Sequence, residues 1–235
     1  MPLPKLNYVL IIIFTLAFST SATNAAKKEP AKPQFKTVLF ADDFSTQKLS
    51  NDWKAYKSES KIENGVLVGL KPKDADHNAV DSVTTKAYSD VEVSLDFQFS
   101  GSPLFVVAFN EHKFKGSHAG HICRVVVTPK RVVLRDGKTG VFKNEIFERR
   151  KSGPLDSKTK ALLKTKEVMT KVNFEQDKWY HLLIRIQGDR MTLFVDGKKI
   201  SELKSEGIAH QTKNKLSLVT SKQAMHFDNF KITAP

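Results

Sequence analysis

The stretch WYHLLIRIQGDRMTLFVDGKKI, residues 179–200, decides the fold class of this chain. Leu182, Ile184 and Ile186 occupy alternate positions in its first half, and Met191, Leu193 and Val195 repeat that spacing in its second half. A glycine-containing turn follows each half, QGDR and then DG. A period of two residues interrupted by tight turns is typical of an antiparallel hairpin. The stretch therefore predicts β structure.

The same alternation recurs along residues 37–233. It is clearest in VEVSLDFQF, residues 91–99, where apolar side chains alternate with polar ones. Residues 104–109 and 122–127 are nearly continuous apolar runs, as expected of central strands that are covered on both faces. About a dozen such short strands separated by turn signals predict an all-β sandwich or jelly roll of two antiparallel sheets.

One segment, residues 143–171, breaks this pattern and is interpreted as a basic, partly helical insertion. Its part LDSKTKALLKTKEVMTK, residues 155–171, has helical character, with Asp156 or Ser157 as the N-cap. Five lysines cover most of that helix. The insertion is either a basic lid that binds polyanions or a solvated helix packed on the sandwich edge, since charge runs usually mark solvated faces.

The N-terminal residues 1–26 have the pattern of an export signal. Lys5 is followed by an apolar run at 8–18 and by a region of small residues that ends in Ala25-Ala26. An apolar core of about 7–15 residues before such a region is typical of a signal peptide. A spanning anchor needs about 20 apolar residues, more than this run offers. We expect cleavage near residue 26, a linker at 27–36, a domain at 37–235, and a secreted, periplasmic or cell-envelope location without membrane insertion.

The cysteine count and the net charge limit which covalent cross-links and which binding partners are expected. Cys123 is the only cysteine, so no internal disulfide can form, and its apolar surroundings predict a small buried hydrophobe. The formal net charge is +13, but the basic residues are spread thinly and do not alternate with aromatics. We therefore expect no nucleic acid partner. The positive charge is explained either by binding to an acidic polysaccharide or envelope surface, or simply by solubility. We expect the protein to be a monomer.

Four motifs in order carry a family resemblance: FADDF at 40–44, YSDVEV at 88–93, the hairpin at 179–200, and FDNFKI at 227–232. Together they resemble exported domains with concanavalin A-like or laminin G-like jelly rolls. The resemblance is closest to the 3-keto-disaccharide hydrolase domain family. It implies an exported domain that binds or hydrolyses sugars.

A first candidate catalytic pair is Glu92 and Asp96, on one face of the strand at 91–99. The pattern E-x-S-x-D is similar to the E-x-D-x-E of family-16 glycoside hydrolases, whose outer carboxylates act as nucleophile and acid about 5–5.5 Å apart. The alternative is ordinary polar alternation on a solvated sheet face.

A second group of candidates lies around residues 110–121. The sequence HAGH places His118 and His121 close together, so His121 is a candidate general base or metal ligand. Loop histidines that only form hydrogen bonds are the alternative. The candidate sugar-contacting residues are Glu111, His112, His118, Arg124 and Tyr88, the last of which could stack on a sugar ring.

Three aspartates are candidates for a structural calcium site. Asp42 and Asp43 come from the first strand and Asp228 from the last, and such strands commonly neighbour each other in these folds. Calcium prefers several oxygen ligands. Aspartates that cap turns at strand ends are the alternative.

These observations lead to one expected function and one alternative. The first is an exported jelly-roll domain that engages carbohydrate, like the hydrolase domains it resembles. The second is a non-catalytic carbohydrate-binding, structural or adhesion protein of the cell envelope.

Overall fold

A computed structural model describes Met1 and residues 34–235 of the chain. Apart from Met1, the predicted signal peptide lies outside the described residues, as do positions 27–33 of the predicted linker.

The predicted alternation produces short strands throughout the described residues. Fifteen strands are formed there, with two short α-helices between the tenth strand and the one before it. In chain order they are β1 (Thr37–Asp42), β2 (Lys54–Tyr56), β3 (Lys61–Glu63), β4 (Val66–Gly69), β5 (Ala79–Tyr88), β6 (Val91–Phe99), β7 (Phe105–Asn110), β8 (His121–Val127), β9 (Arg131–Asp136), α1 (Asn144–Ser152), α2 (Ser157–Thr165), β10 (Glu167–Lys171), β11 (Trp179–Gln187), β12 (Arg190–Val195), β13 (Lys198–Lys204), β14 (Lys213–Thr220) and β15 (Met225–Ala234).

The strands form two antiparallel sheets, which confirms the predicted all-β sandwich. Sheet 1 has the order β13-β12-β11-β6-β15-β4-β3, with β1 also paired to β15. Sheet 2 has the order β10-β9-β8-β7-β14-β5-β2. The strands β14 and β15 are consecutive along the chain but belong to different sheets, so the chain crosses between the layers there.

One hydrophobic core lies between the sheets. The five apolar residues of β6 are completely buried, whereas the polar residues between them are partly exposed. The ring of Phe97 lies 5.0 Å from that of Phe105 and 5.3 Å from that of Phe174, measured between centroids. Cys123 is buried in this core as predicted, and burial raises the pKa of its thiol to about 12.

The hairpin at residues 179–200 has the expected geometry. Gln187 pairs with Arg190, so only Gly188 and Asp189 form the turn between β11 and β12. Gly188 has a φ of +54°, a left-handed conformation that costs glycine little. The strand β11 then pairs with β6 at the centre of sheet 1.

The insertion differs from the single helix that the sequence predicts. Helix α2 begins after Asp156, one of the two predicted N-caps, whose carboxylate accepts a hydrogen bond from the backbone N–H of Thr159. It ends at Thr165, and the following residues form β10, which pairs with β9 at the edge of sheet 2. A second helix, α1, precedes it. No helix among the described residues is both long enough and apolar enough to cross a membrane.

Candidate active site on the outer face of sheet 2

A recess of about 380 Å³ lies on the outer face of sheet 2, the face turned away from the core. Its floor follows from the strand register, because Arg124 of β8 lies opposite Ala108 of β7, which lies opposite Ser217 of β14. Small side chains at the centre of this row leave space above the sheet. The residues that line the recess are His77, Asn78, Val80, Val106, Ala108, His118, His121, Arg124, Phe142, Phe147, Ser217 and Val219.

A β-bulge brings His121 and Arg124 into this recess together. Residues three apart in a regular strand point to opposite faces. Here Phe109 pairs with Cys123 and Asn110 pairs with His121, which leaves Ile122 as an extra residue in β8. The bulge reverses the alternation, so both polar side chains reach the outer face.

The residue before His121 is held in place by its backbone. Gly120 has a φ of +69°, and a Cβ at this position would lie 2.1 Å from the carbonyl oxygen of Glu111. Only glycine fits this close approach. The carbonyl of Gly120 also accepts a hydrogen bond from the Glu111 N–H, which fixes the start of β8.

The imidazole of His121 is fixed by a chain of hydrogen bonds. The side-chain amide of Asn110 donates from Nδ2 to the hydroxyl of Ser217 at 3.2 Å and to the carbonyl of Ala108 at 3.3 Å. This orientation leaves Oδ1 of Asn110 to accept from Nδ1 of His121 at 2.6 Å. The proton therefore lies on Nδ1, and Nε2 carries the lone pair.

His121 is neutral over the physiological pH range. Burial lowers its pKa from 6.5 to about 4, and the positive charge of Arg124 acts in the same direction. A neutral imidazole with one free lone pair can accept a proton or a hydrogen bond from a ligand.

Arg124 supplies the positive charge of the recess. Burial lowers the pKa of its guanidinium to about 10, so the group stays charged at neutral pH. The guanidinium lies 4.5 Å from the ring centroid of Phe142, and its buried Nε has no hydrogen-bond partner among the described residues. An unpaired buried donor is costly unless a ligand or water satisfies it.

Two aromatic side chains, Phe142 just before the insertion and Phe147 within it, form one wall of the recess. Phe142 lies 4.4 Å from the ring of His121, and Phe147 of α1 stacks on His118 at 3.6 Å with an interplanar angle of 11°. Burial lowers the pKa of His118. Both rings line the recess and give it an apolar side, while Phe142 packs against Arg124 and Phe147 against His118.

The structure brings three of the sequence-predicted residues together and separates two others from them. His118, His121 and Arg124 line one recess. Glu111 instead binds Nε2 of His210 and the hydroxyl of Thr212. The backbone N–H of His112 donates to Asn214 on the exposed side of the loop.

Tyr88 is not on a ligand-accessible surface. Its side chain belongs to the core, and burial raises the pKa of its hydroxyl. The expectation that Tyr88 stacks on a sugar is corrected by this burial, because β5 turns that residue inward.

Glu92 and Asp96 lie on the outer face of sheet 1, away from the recess. Glu92 forms an ion pair with Arg185 of β11. Asp96 binds Nδ1 of His181 at 2.6 Å and accepts a hydrogen bond from Asn229 at 2.8 Å. Since each carboxylate has its own partners, the structure gives no sign of a cooperating nucleophile and acid at this pair.

The three aspartates proposed as calcium ligands act as local hydrogen-bond acceptors. Asp42 accepts from the indole N–H of Trp53 at 2.8 Å, Asp43 accepts from the backbone of Ser45, and Asp228 accepts from the backbone of its neighbour. The predicted pairing of β1 with β15 is confirmed. Within the described residues, no three His, Cys, Asp or Glu side chains are grouped to hold a metal ion. Calcium stays a prediction.

Several residues of the recess were not identified from sequence. Phe142 directly precedes the insertion and Phe147 lies within it, and in neither place does an alternation of residues indicate which side chains turn inward. Asn110 and Ser217 act through one histidine, and their contact depends on the pairing of β7 with β14. One sequence feature could have pointed to this contact: Asn110 is a polar residue at the end of the apolar run 104–109.

The sequence pattern of the 3-keto-alpha-glucoside-1,2-lyase-like domain family matches residues 37–233, the whole sandwich. The chain belongs to this family. Membership confirms the predicted resemblance and supports a carbohydrate-related function. A search of curated proteins found no match.

Solved structures confirm the jelly-roll fold. The carbohydrate binding module CBM66 from Bacillus subtilis is 13% identical with a TM-score of 0.53, and the match covers 78% of this chain and 96% of that one. A non-specific endo-beta-1,3(4)-glucanase from family GH16 is 10% identical with a TM-score of 0.58 over 87% and 93%. A sialidase is 14% identical with a TM-score of 0.58, and the match covers 84% of this chain but only 18% of the sialidase.

Proposed function

We propose that the chain is an exported carbohydrate-binding domain whose sugar site is the recess on sheet 2. The observation that carries this proposal is the unpartnered Nε of Arg124 beside a neutral His121, within an aromatic-walled recess of about 380 Å³. Ligand pockets are commonly about 300–1,000 Å³, mostly apolar, with a few converging polar groups. Sugar hydroxyls would satisfy Arg124 and His121, while Phe142 and Phe147, which line the recess, would give it an apolar side.

A second candidate function is elimination on a keto sugar, favoured by the fixed tautomer of His121. The family description names a 1,2-lyase acting on 3-keto-alpha-glucosides. In such an elimination, Nε2 of His121 would take the proton from C2, which the neighbouring carbonyl makes acidic. The electron pair would form the C1–C2 double bond as the C1–O bond breaks, and the departing oxygen would take up a proton. Arg124 would stabilise the negative charge that develops on the carbonyl oxygen.

A glycosidase with two carboxylates is less well supported. No Asp or Glu is among the described residues that line the recess. Glu92 and Asp96, the pair expected from sequence, lie on the other sheet with partners of their own.

Export to the periplasm, cell envelope or medium is supported by the sequence of residues 1–26. Cell fractionation, with mass analysis of the N-terminus, tests it. A mature chain that begins near residue 27 would support export, and an intact N-terminus in the cytoplasmic fraction would contradict it.

The sugar site is tested by calorimetry on neutral and 3-keto disaccharides with Arg124→Met, which keeps an unbranched stem and removes the guanidinium with its charge. We expect at least about tenfold weaker binding, since a buried charged hydrogen-bond donor is lost. The matched control is Arg131→Met, an exposed arginine on β9 outside the recess. Equal affinities in both variants and the unchanged chain would contradict the site.

Turnover of the same disaccharides separates the two candidates. His121→Gln should keep binding within a few-fold but lower the rate of elimination about a hundredfold or more, the usual contribution of a general base. Sugar binding with no turnover by the unchanged chain would leave the binding function and reject the lyase.

A further inference from the structure

A second and larger recess, about 930 Å³, lies under the helices of the insertion. It shares no lining residue with the sugar site: α1 turns Phe147 toward the first recess and Ile146 with Arg149 toward the second. We call it the basic cleft. It is lined by parts of α1 and α2, by the turn at 138–139, and by Phe114.

The charges in the basic cleft do not cancel. Each of its three carboxylates is already held by a cation of the cleft. The pairs are Lys143–Glu145 at 3.0 Å, Lys166–Glu206 at 2.5 Å, and Arg149–Asp156. Two further lysines line it, Lys138 and Lys158, and neither has a carboxylate within 4 Å among the described residues.

Lys138 is held in position by neighbouring groups. Its ammonium lies 3.0 Å from Nδ1 of His210 and 5.4 Å from the ring centroid of Phe114. An ammonium only donates, so Nδ1 accepts and the proton of His210 lies on Nε2, where it is donated to Glu111. Glu111, a residue singled out from sequence, thereby helps to position the cation of the cleft.

We propose that the basic cleft binds a segment of an acidic polysaccharide, with Lys138 and Lys158 contacting its carboxylate or sulfate groups. Lys138 and Lys158 attract an anion by their charge. Because neither is in an ion pair, the anion need not displace any of the three existing ion pairs of the cleft. Apolar side chains lie beside them, because Ile146 and Leu162 line the cleft and Leu162 is 41% exposed. These surfaces suit the C–H faces of sugar rings between the charged groups.

A polysaccharide fits this cleft better than a nucleic acid does. Single-stranded nucleic acids bind on aromatic side chains on which successive bases stack. Phe114 is the one aromatic residue among those that line the described cleft, and its ring is already packed against His210 at 4.8 Å. The sugar nature of the ligand rests on the proposed function, whereas its negative charge rests on the cleft alone.

The test is calorimetry on the full chain with tetragalacturonate, a sulfated chondroitin tetrasaccharide, neutral cellotetraose and a single-stranded oligonucleotide. The variant is Lys138→Gln with Lys158→Gln. The matched control is Lys160→Gln with Lys164→Gln, two exposed lysines of α2 that do not line the cleft. Both variants lose the same net charge, so a difference between them isolates the cleft. Tetragalacturonate carries carboxylates only and the chondroitin tetrasaccharide carries carboxylates and sulfates, so comparing them shows whether sulfate groups strengthen binding.

The cleft variant should bind the preferred acidic sugar about tenfold more weakly, since two ion pairs are lost together, and the control should stay within about twofold. Arg124→Met should leave this affinity unchanged, which separates the cleft from the sugar site. Equal losses in the two double variants, no binding by the unchanged chain, or tighter binding of the oligonucleotide would each overturn the proposal. Loss of cellotetraose or keto-sugar binding alone would bear only on the sugar site.

Discussion

The imidazole of His121 shows how neighbouring side chains set the chemistry of one residue. Asn110 holds its Nδ1–H, Gly120 fixes the backbone before it, and burial keeps it neutral. None of these groups needs to touch a ligand. They prepare a single lone pair, which is the property that both proposed roles of the site use.

The low pKa of His121 has a consequence for stability. In the unfolded chain the imidazole takes up a proton near pH 6.5, and in the folded chain only near pH 4. Between these values the unfolded state binds more protons, so the free energy of unfolding falls as the pH is lowered from 6.5 to 4. The loss from this residue should be at most about 3 kcal/mol.

Urea unfolding at pH 7, 5.5 and 4 measures this loss. His121→Gln has no group that titrates in this range at position 121, so its stability should fall less over the same interval. The NMR titration of His121 checks the cause directly. A midpoint close to 6.5 would contradict the buried, neutral imidazole.

The sequence identified three polar residues of the recess but not their arrangement. His118, His121 and Arg124 were candidates because of their chemical types. Alternation alone would place His121 and Arg124 on opposite faces of β8. The bulge at Ile122 that unites them depends on the pairing with β7, which a period of two cannot reveal.

Asp156 links the two helices of the insertion. Its carboxylate accepts hydrogen bonds from both the N–H and the hydroxyl of Thr159, at 2.8 Å each, and forms an ion pair with Arg149 of α1. These contacts lower the pKa of the Asp156 carboxyl. One side chain thus caps α2 and ties it to α1.

Asp156→Ala should increase local unfolding of the insertion without increasing that of the sandwich. Loss of an N-cap should speed hydrogen exchange of the α2 amides roughly fivefold, while the amides of β6 and β11 keep their protection. Asp74→Ala, in an exposed loop, is the matched control. If exchange accelerates equally in β6, the insertion and the sandwich unfold as one unit and this prediction is wrong.

In the insertion, the sequence predicted the start of a helix correctly but not its end. The lysine-rich pattern correctly indicated a capped helix, but it extended that helix to residue 171. In the structure, Val168 and Thr170 pair with Leu134 and Val132 of β9 instead. Those β-branched residues favour a strand, and the open edge of sheet 2 provides the hydrogen bonds that decide the matter.

The sequence predicted two layers of antiparallel β-sheet, but it did not predict which strands pair with each other within each sheet. Alternation identified strands, and the buried apolar face of β6 followed from it directly. The assignment of strands to sheets did not follow, because β14 and β15 are consecutive along the chain yet pair in different sheets. That choice depends on contacts between residues far apart in the chain, such as β7 with β14 and β6 with β15.

The core that joins these layers is centred on aromatic side chains, among them Phe97. Phe97 contacts aromatic rings from both layers: Phe105 of sheet 2, and Tyr180 of sheet 1 at 5.5 Å. Phe97→Ala should lower the free energy of unfolding by about 3–5 kcal/mol, since a completely buried ring is replaced by a cavity. Ser94→Ala, on the opposite face of the same strand, should change it by less than about 0.5 kcal/mol. Urea unfolding of the three proteins measures both values. Only Phe97→Ala removes a side chain from the interior, since Ser94 lies on the outer face. If the two variants were equally stable, the aromatic cluster around Phe97 would not be what holds the two sheets together.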